Sequence, residues 1–149
     1  KMRISQRGVN LIKIFEGFRA KPYLCSAGVA TIGYGSTYYE NGVRVKLTDP
    51  PIDRIWAEQL LRNVLVHYER EVDAVTTDLI TQNQFDALTS FTYNVGITNF
   101  RKSTLLKLIN SNYRDPKIRT QFLRWDKAGG RVIEGLKKRR EIEANLYFT

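Results

Sequence analysis

The sequence contains few of the residues that form cross-links or metal sites. Its 149 residues include one cysteine, Cys25, and one histidine, His67. A single cysteine forms no disulfide within the chain, and this pair is too small to close a structural zinc site. No Asp-x-Asp-x-Asp-Gly calcium loop is present either. We therefore expect a domain that needs no disulfide, no metal and no cofactor.

Long apolar segments are also absent. No window approaches the ~20 apolar residues of a transmembrane helix, and no short apolar segment with a cleavage site opens the chain. We therefore expect no stable membrane insertion of these residues.

Positive charge is abundant. Lys and Arg number 24 against 15 Asp and Glu, a formal net charge of +9. Apolar residues make up 42% and charged residues 26% of an otherwise ordinary globular composition, and the length predicts one domain. Nucleic acid, an anionic membrane surface and an anionic polymer such as a bacterial cell wall all fit this charge, as does plain solubility.

The spacing of apolar residues predicts an α+β fold whose strands lie near the N-terminus. Helices are predicted at residues 5–15, about 50–75, 81–95, 103–110, 115–127 and 134–148. Thr81 and Gln84 have the spacing of a capping box. Residues 29–34 and 43–47 have the pattern of two strands joined around Asn41-Gly42, a strong hairpin signal. Gly129-Gly130 is expected to end the helix at 115–127.

Glu16 is the first candidate for chemistry. It lies at the end of an apolar helix, between Phe15 and Phe18. Apolar surroundings and the negative end of a helix both disfavour a charged carboxylate, so a Glu here can stay protonated and act as a general acid. A surface Glu at a helix end is the alternative, and position alone does not exclude it.

Two other patterns are weaker candidates for a functional site. A Cys25 nucleophile would need a histidine base, and His67 falls on the long predicted helix with no orienting residue beside it. The basic run at 137–140 points all round a helix, and acidic residues follow it at once. We expect a solvated helix there with one arginine turned inward, so nucleic-acid binding rests on charge alone.

The spacing of three residues resembles a known active-site signature. Glu16, Cys25 and Thr31, the last followed by Ile-Gly-Tyr-Gly, resemble the signature of the phage-type lysozymes, the endolysins of glycoside hydrolase family 24. Further blocks at residues 16–23, 84–96, 103–106 and 125–147 are similar to the family in the same order, so the resemblance covers nearly the whole chain.

The resemblance implies a fold, a reaction and a location. The fold is one lysozyme-like domain over residues 1–149: a small N-terminal lobe with an antiparallel β-hairpin sheet, a long connecting helix, a helical C-terminal lobe and a cleft between the lobes. The reaction is hydrolysis of the β-1,4 bond between N-acetylmuramic acid and N-acetylglucosamine in bacterial peptidoglycan, which lyses the host cell. The resemblance implies a monomer that binds no nucleic acid, lies in the host cytoplasm before lysis and acts on the wall in the periplasm. The route of export stays open.

The resemblance also assigns roles. Glu16 becomes the general acid, while Cys25 and Thr31 position or activate the water on the opposite face of the sugar, an inverting arrangement. The same matches imply that Thr37, Tyr93 and Ser103 contact the glycan. They also imply that Arg139 or Arg140 pairs with Glu16.

Two departures from the family pattern bear on mechanism. Cys25 stands where the family usually has Asp, so a carboxylate pair is not available. We expect an unperturbed thiol, because neither a helix end nor Glu16 lowers its pKa, and such a thiol is a poor base unless a cation lies close. Ser36 stands where many relatives have His, which affects one contact near the cleft.

Two alternatives therefore stay open beside the hydrolase. A wall-binding module of the same fold would keep the cleft and lose the water-activating group. A lytic transglycosylase also uses one Glu and would leave a 1,6-anhydro product.

Overall fold

Seven helices and two short hairpins make up the structure, a computed structural model that describes residues 1–149. The helices are α1 Gln6–Glu16, α2 Arg54–Val75, α3 Gln82–Val95, α4 Ile97–Lys102, α5 Thr104–Ser111, α6 Lys117–Leu123 and α7 Glu134–Tyr147. The strands are β1 Arg19–Leu24, β2 Ala30–Gly33, β3 Lys127–Ala128 and β4 Arg131–Val132. The α+β prediction is confirmed. None of the helices has the length and apolar character needed to cross a membrane.

The chain divides into two compact units. One unit comprises residues 9–67 and contains β1 and β2. The other comprises residues 1–8 and 68–149 and is almost entirely helical. The candidate residues Glu16, Cys25, Thr31 and Thr37 belong to the first unit, and Tyr93 and Ser103 belong to the second.

Helix α1 begins and ends close to where the sequence predicts. The Ser5 hydroxyl accepts a hydrogen bond from the Gly8 amide at 3.2 Å, which caps the helix. Gly17 follows the last helical residue with φ of +72°, and its amide donates to the Lys13 carbonyl at 2.9 Å. A glycine in this conformation is a common helix terminator. Glu16 is therefore the last residue of α1.

The strand partner predicted for β2 is wrong. Strand β2 pairs antiparallel with β1, with Thr31 opposite Tyr23, and not with residues 43–47. Strand β1 was not predicted, because Pro22 and exposed basic residues interrupt its apolar pattern. Asn41-Gly42 does form a tight turn, in which the Tyr39 amide donates to the Val43 carbonyl at 2.9 Å. This turn closes only a short ladder of its own.

The long helix and the capping box are confirmed. Helix α2 runs for 22 residues and ends at Val75, as predicted, although it begins at Arg54 and not near residue 50. The Gln84 amide donates to the Thr81 hydroxyl at 3.1 Å, and the Thr81 amide donates to the Gln84 side chain at 2.9 Å. Helix α3 then contributes an almost continuous buried segment to the core of the second unit. That core includes Phe85, Leu88, Phe91, Phe100, Phe122 and Tyr147.

The second hairpin corrects two predictions. Helix α6 ends at Leu123, so the predicted helix at 115–127 is too long. Gly129 and Gly130, with φ of +58° and +78°, form the two-residue turn between β3 and β4. Two consecutive positive φ angles suit a tight hairpin turn as well as a helix end, so a glycine pair alone does not distinguish them. The strands are therefore not confined to the N-terminal part, and α4 was not predicted.

Candidate active site

Glu16 projects from the end of α1 toward the segment that follows β2. Its side chain is half-buried. A β-carbon built on Gly35 would lie 3.1 Å from Oε1 of Glu16, so the carboxylate packs against the bare Cα of that glycine. Gly35 has φ of +97°, a conformation that residues with side chains rarely adopt. The glycine thus provides both the backbone turn and the space for the carboxylate.

Cys25 and Thr31 are brought together by the turn of the first hairpin. The Cys25 amide donates to the Val29 carbonyl at 3.0 Å, and the buried Thr31 hydroxyl donates to the same carbonyl at 2.9 Å. A further side-chain hydrogen bond joins the Cys25 thiol and Thr31. Since the hydroxyl has only one proton, a protonated thiol can donate to Thr31 while Thr31 donates to Val29, whereas a thiolate would accept the Thr31 proton instead. The pair forms one small polar group at the end of the hairpin.

The prediction of an unperturbed thiol is wrong. Hydrogen bonds from the amides of Val29 and Ala27, in that order, are the main cause that holds the pKa of Cys25 below its usual value. Burial acts in the opposite direction, and the Thr31 hydroxyl lowers the pKa by a smaller amount. Hydrogen bonds from amides favour the thiolate. The signal was not visible in the sequence, because it depends on how the turn at residues 25–29 points its N–H groups.

The remaining predicted contact residues occupy different environments. Thr37 and Tyr93 are half-buried, and the Tyr93 ring packs edge-on against Tyr68 with centroids 5.1 Å apart. Ser103 is buried: its hydroxyl accepts from the Leu106 amide at 3.0 Å and donates to the Phe100 carbonyl at 2.6 Å. Ser103 therefore caps α5, and a glycan contact there stays a prediction.

Both arginines of the basic run are buried, where the sequence predicted one. The Arg139 Nε lies 3.1 Å from Oε2 of Glu143, and the Arg140 Nε lies 2.8 Å from Oε1. The second contact is a close ion pair without hydrogen-bond alignment. Ser90 donates its hydroxyl proton to Glu143 at 2.6 Å, and Arg140 donates to Asn94 at 2.7 Å. The pairing of either arginine with Glu16 stays a prediction.

Glu143 is the central residue of this buried network. Burial raises the pKa of its carboxyl, while the two guanidinium groups and the Ser90 hydroxyl act in the opposite direction. Sequence reasoning assigned no role to Glu143. Its spacing of three and four residues from the two arginines was the available signal, because such spacing places side chains on one helical face.

Comparison with known proteins identifies the family to which this chain is similar. The model of the phage lysozyme family matches residues 13–143. The endolysin of Bacillus phage B103 is 44% identical over 99% of this chain, and the endolysin of Salmonella phage P22 is 36% identical over 99% of both chains. The structure of an endolysin from Escherichia coli O157:H7 phage FAHEc1 superposes with a TM-score of 0.90 at 36% identity, covering 98% of this chain and 93% of that one.

The relatives differ in length. The chain spans 55% of the B103 endolysin and of a second relative, the endolysin of Bacillus phage PZA. It spans 99% of the P22 endolysin. The match therefore covers the region that these proteins share. The chain belongs to the phage lysozyme family.

Proposed function

We propose that this chain is an endolysin of the muramidase type, which hydrolyses the β-1,4 bond between N-acetylmuramic acid and N-acetylglucosamine in bacterial peptidoglycan. Family membership supports the substrate class and the reaction. The observation that carries the assignment to particular residues is the Glu16 carboxylate, set at the end of α1 against Gly35. A carboxylate fixed by a helix end on one side and a glycine turn on the other suits a positioned acid.

Glu16 acts as the general acid in this proposal. It protonates the glycosidic oxygen as the bond to the anomeric carbon breaks, and the developing positive charge spreads over the sugar ring. Water attacks the anomeric carbon from the opposite face and gives one of its two protons to the surrounding solvent. The products are two shorter glycan strands, one of which ends in a reducing muramic acid.

Cys25 and Thr31 hold the attacking water in this proposal. Their thiol and hydroxyl already form one hydrogen-bonded group, so a water bridging them would have defined acceptors. Thr37, Tyr93 and Ser103 are the proposed glycan contacts. The proposal also includes one domain over residues 1–149, with a cleft between two lobes, and a monomeric state. The protein would be stored in the host cytoplasm and would then act on the wall.

Clearing and binding assays test the function together. We expect the chain to reduce the turbidity of permeabilised Gram-negative cells and to release soluble fragments from purified peptidoglycan. Sedimentation with insoluble peptidoglycan measures binding separately. Binding without any release of fragments would overturn the hydrolase proposal in favour of a wall-binding module.

Gly35→Ala should lower activity more than stability alone explains. The new β-carbon meets Oε1 of Glu16 at 3.1 Å, so the carboxylate must shift by a few tenths of an ångström. Gly42→Ala is a matched control, because Gly42 also has a positive φ, of +82°, but no atom lies within 4 Å of the added carbon. Both variants should lose about 1–3 kcal/mol of unfolding free energy from backbone strain. Only Gly35→Ala should show a large drop in the rate of wall clearing by the folded protein, and equal rates would contradict the proposed position of Glu16.

Cys25→Ser tests the role of the thiol. If Cys25 positions water, serine should do so as well, and the rate should stay within about tenfold of the parent since a hydroxyl has the same donor and acceptor roles. Cys25→Asp should also be active. The lowered pKa of the thiol favours the rival view that the thiolate is the base. That view requires the parent rate to rise with pH through an apparent pKa below about 8.5, the ordinary thiol value, and requires Cys25→Ser to be nearly inactive.

Activity on intact walls should fall as salt concentration rises. The charge of +9 attracts an anionic wall, and screening shortens this attraction from about 10 Å at 0.1 M salt to about 3 Å at 1 M. The measurement is the clearing rate of intact walls across this range of salt concentration. The control substrate is a small soluble glycan fragment, which lacks the long-range attraction of an extended anionic wall. A flat profile on walls would assign the charge to solubility alone.

A further inference from the structure

An aromatic pocket with an acidic rim lies in the unit formed by residues 9–67. Its volume is about 350 Å³, and its walls include Tyr39, Trp56, Glu40 and Asp49, with Ile52 among the apolar lining. No lysine, arginine or histidine lines it. None of these residues belongs to the proposed catalytic group or to the predicted glycan contacts.

The two rings are fixed by the two carboxylates. The Tyr39 hydroxyl donates to Oδ2 of Asp49 at 2.8 Å, and the Trp56 indole N–H donates to Oε1 of Glu40 at 3.0 Å. The ring centroids lie 5.7 Å apart, with planes inclined by 36°. Each ring is therefore held at its polar edge, and Trp56 keeps 40% of its surface exposed. The pocket is preformed, which reduces the entropy lost when a ligand binds.

The charge of the pocket is opposite to that of the chain. It has two carboxylates among its lining residues, within a protein of net charge +9. Oδ2 of Asp49 also accepts from the Lys46 amide at 2.9 Å. These hydrogen bonds, and to a smaller extent the positive charge of Lys46 outside the lining, hold the pKa of Asp49 below its usual value. Aromatic faces attract cations, and adjacent carboxylates strengthen that attraction. This combination recognises an organic cation better than an anion or a neutral group.

We infer that this pocket binds a primary ammonium group, namely the free side-chain amine of the diamino acid in the peptides attached to the wall glycan. The inference rests on the proposed function, which supplies the wall as substrate. Such an amine is free only where it has not itself been acylated to form a cross-link. The pocket would therefore direct the protein toward less cross-linked wall, while the overall positive charge supplies general attraction.

Acetylation of the wall amines tests this inference and separates it from long-range electrostatics. Purified peptidoglycan is treated with acetic anhydride, and the clearing rate at low substrate is compared with that on untreated wall. Acetylation removes positive charge from the wall, so the +9 protein alone would act faster on the treated material. The pocket predicts the reverse, a loss of about three- to tenfold, which is the size expected for one ammonium at a partly exposed aromatic site.

Variants assign the effect to the pocket. Glu40→Gln and Asp49→Asn remove charge but keep an oxygen that can accept from the Trp56 N–H or the Tyr39 hydroxyl. Together they should slow clearing of untreated wall and remove the loss caused by acetylation, so that the double variant clears acetylated wall as fast as untreated wall or faster. Glu141→Gln removes one negative charge, as each of the two pocket substitutions does, but at an exposed position of α7, and it should behave like the parent. Equal or faster clearing of acetylated wall by the parent would overturn the inference, as would a loss on acetylation that persists in the double variant.

Two further outcomes are informative. The first uses chitohexaose, a neutral oligosaccharide, as an inhibitor. If it inhibits the parent but not Trp56→Leu, the pocket is a sugar site and the ammonium assignment is overturned. If the parent clears neither wall, the proposed function fails. Sedimentation of the protein with the two walls then decides on the pocket alone: weaker binding to acetylated wall supports it, and equal or stronger binding contradicts it.

Discussion

Glu16→Gln is expected to remove nearly all wall-clearing activity while leaving the fold intact. General acid catalysis accounts for about a hundred- to ten-thousand-fold in rate, and the amide cannot protonate the leaving oxygen. The substitution conserves shape, so the side chain still fits against Gly35. Unfolding free energy should be unchanged or slightly higher, because a half-buried carboxylate is replaced by a neutral amide.

The assay for Glu16→Gln combines activity, binding and stability. The variant should still sediment with peptidoglycan, which shows that the loss is chemical. Glu141→Gln serves as the control, since it makes the same substitution on an exposed surface of α7. Near-parental clearing by Glu16→Gln would exclude Glu16 from the mechanism.

Glu143→Ala should be the most destabilising single change among the charged residues described above. Its side chain is fully buried between Arg139 and Arg140, with Oε1 only 2.8 Å from the Arg140 Nε. Removing it leaves two buried guanidinium groups without their counter-ion. Breaking a buried ion pair in this way costs about 3–5 kcal/mol. Loss of the acceptor for the Ser90 hydroxyl adds to this cost.

Urea denaturation measures this cost directly. The midpoint should fall for Glu143→Ala, whereas Glu141→Ala, two residues earlier on the same helix but exposed, should change stability by less than about 0.5 kcal/mol. Glu143→Gln should lie between them, because it keeps the shape and an acceptor for Ser90. A loss below about 1 kcal/mol for Glu143→Ala would show that the network contributes little to stability.

Local signals in the sequence predicted much of the fold. The Thr81–Gln84 capping box, the glycine after Glu16 and the apolar spacing of α2 each act within a few residues, and the structure confirms all three. The pairing of β2 was not predictable in the same way. Strand pairing depends on contacts between separated segments, and β1 carries Pro22 and polar residues that obscure it.

The site was only partly accessible to sequence reasoning. The spacing of Glu16, Cys25 and Thr31 identified the candidates, and the hairpin does join Cys25 to Thr31. The direction of the thiol pKa was missed, because amides in the turn at Val29 and Ala27 set it. The network around Glu143 was missed because helical periodicity alone did not show that both neighbouring arginines turn inward.

Product analysis on purified peptidoglycan in ¹⁸O-labelled water tests the central claim most directly. Hydrolysis with Glu16 as the acid predicts fragments that end in reducing N-acetylmuramic acid and carry one solvent oxygen at the anomeric carbon, with none formed by Glu16→Gln. Fragments that end in 1,6-anhydro muramic acid without solvent oxygen, or labelled fragments formed equally well by Glu16→Gln, would contradict the account.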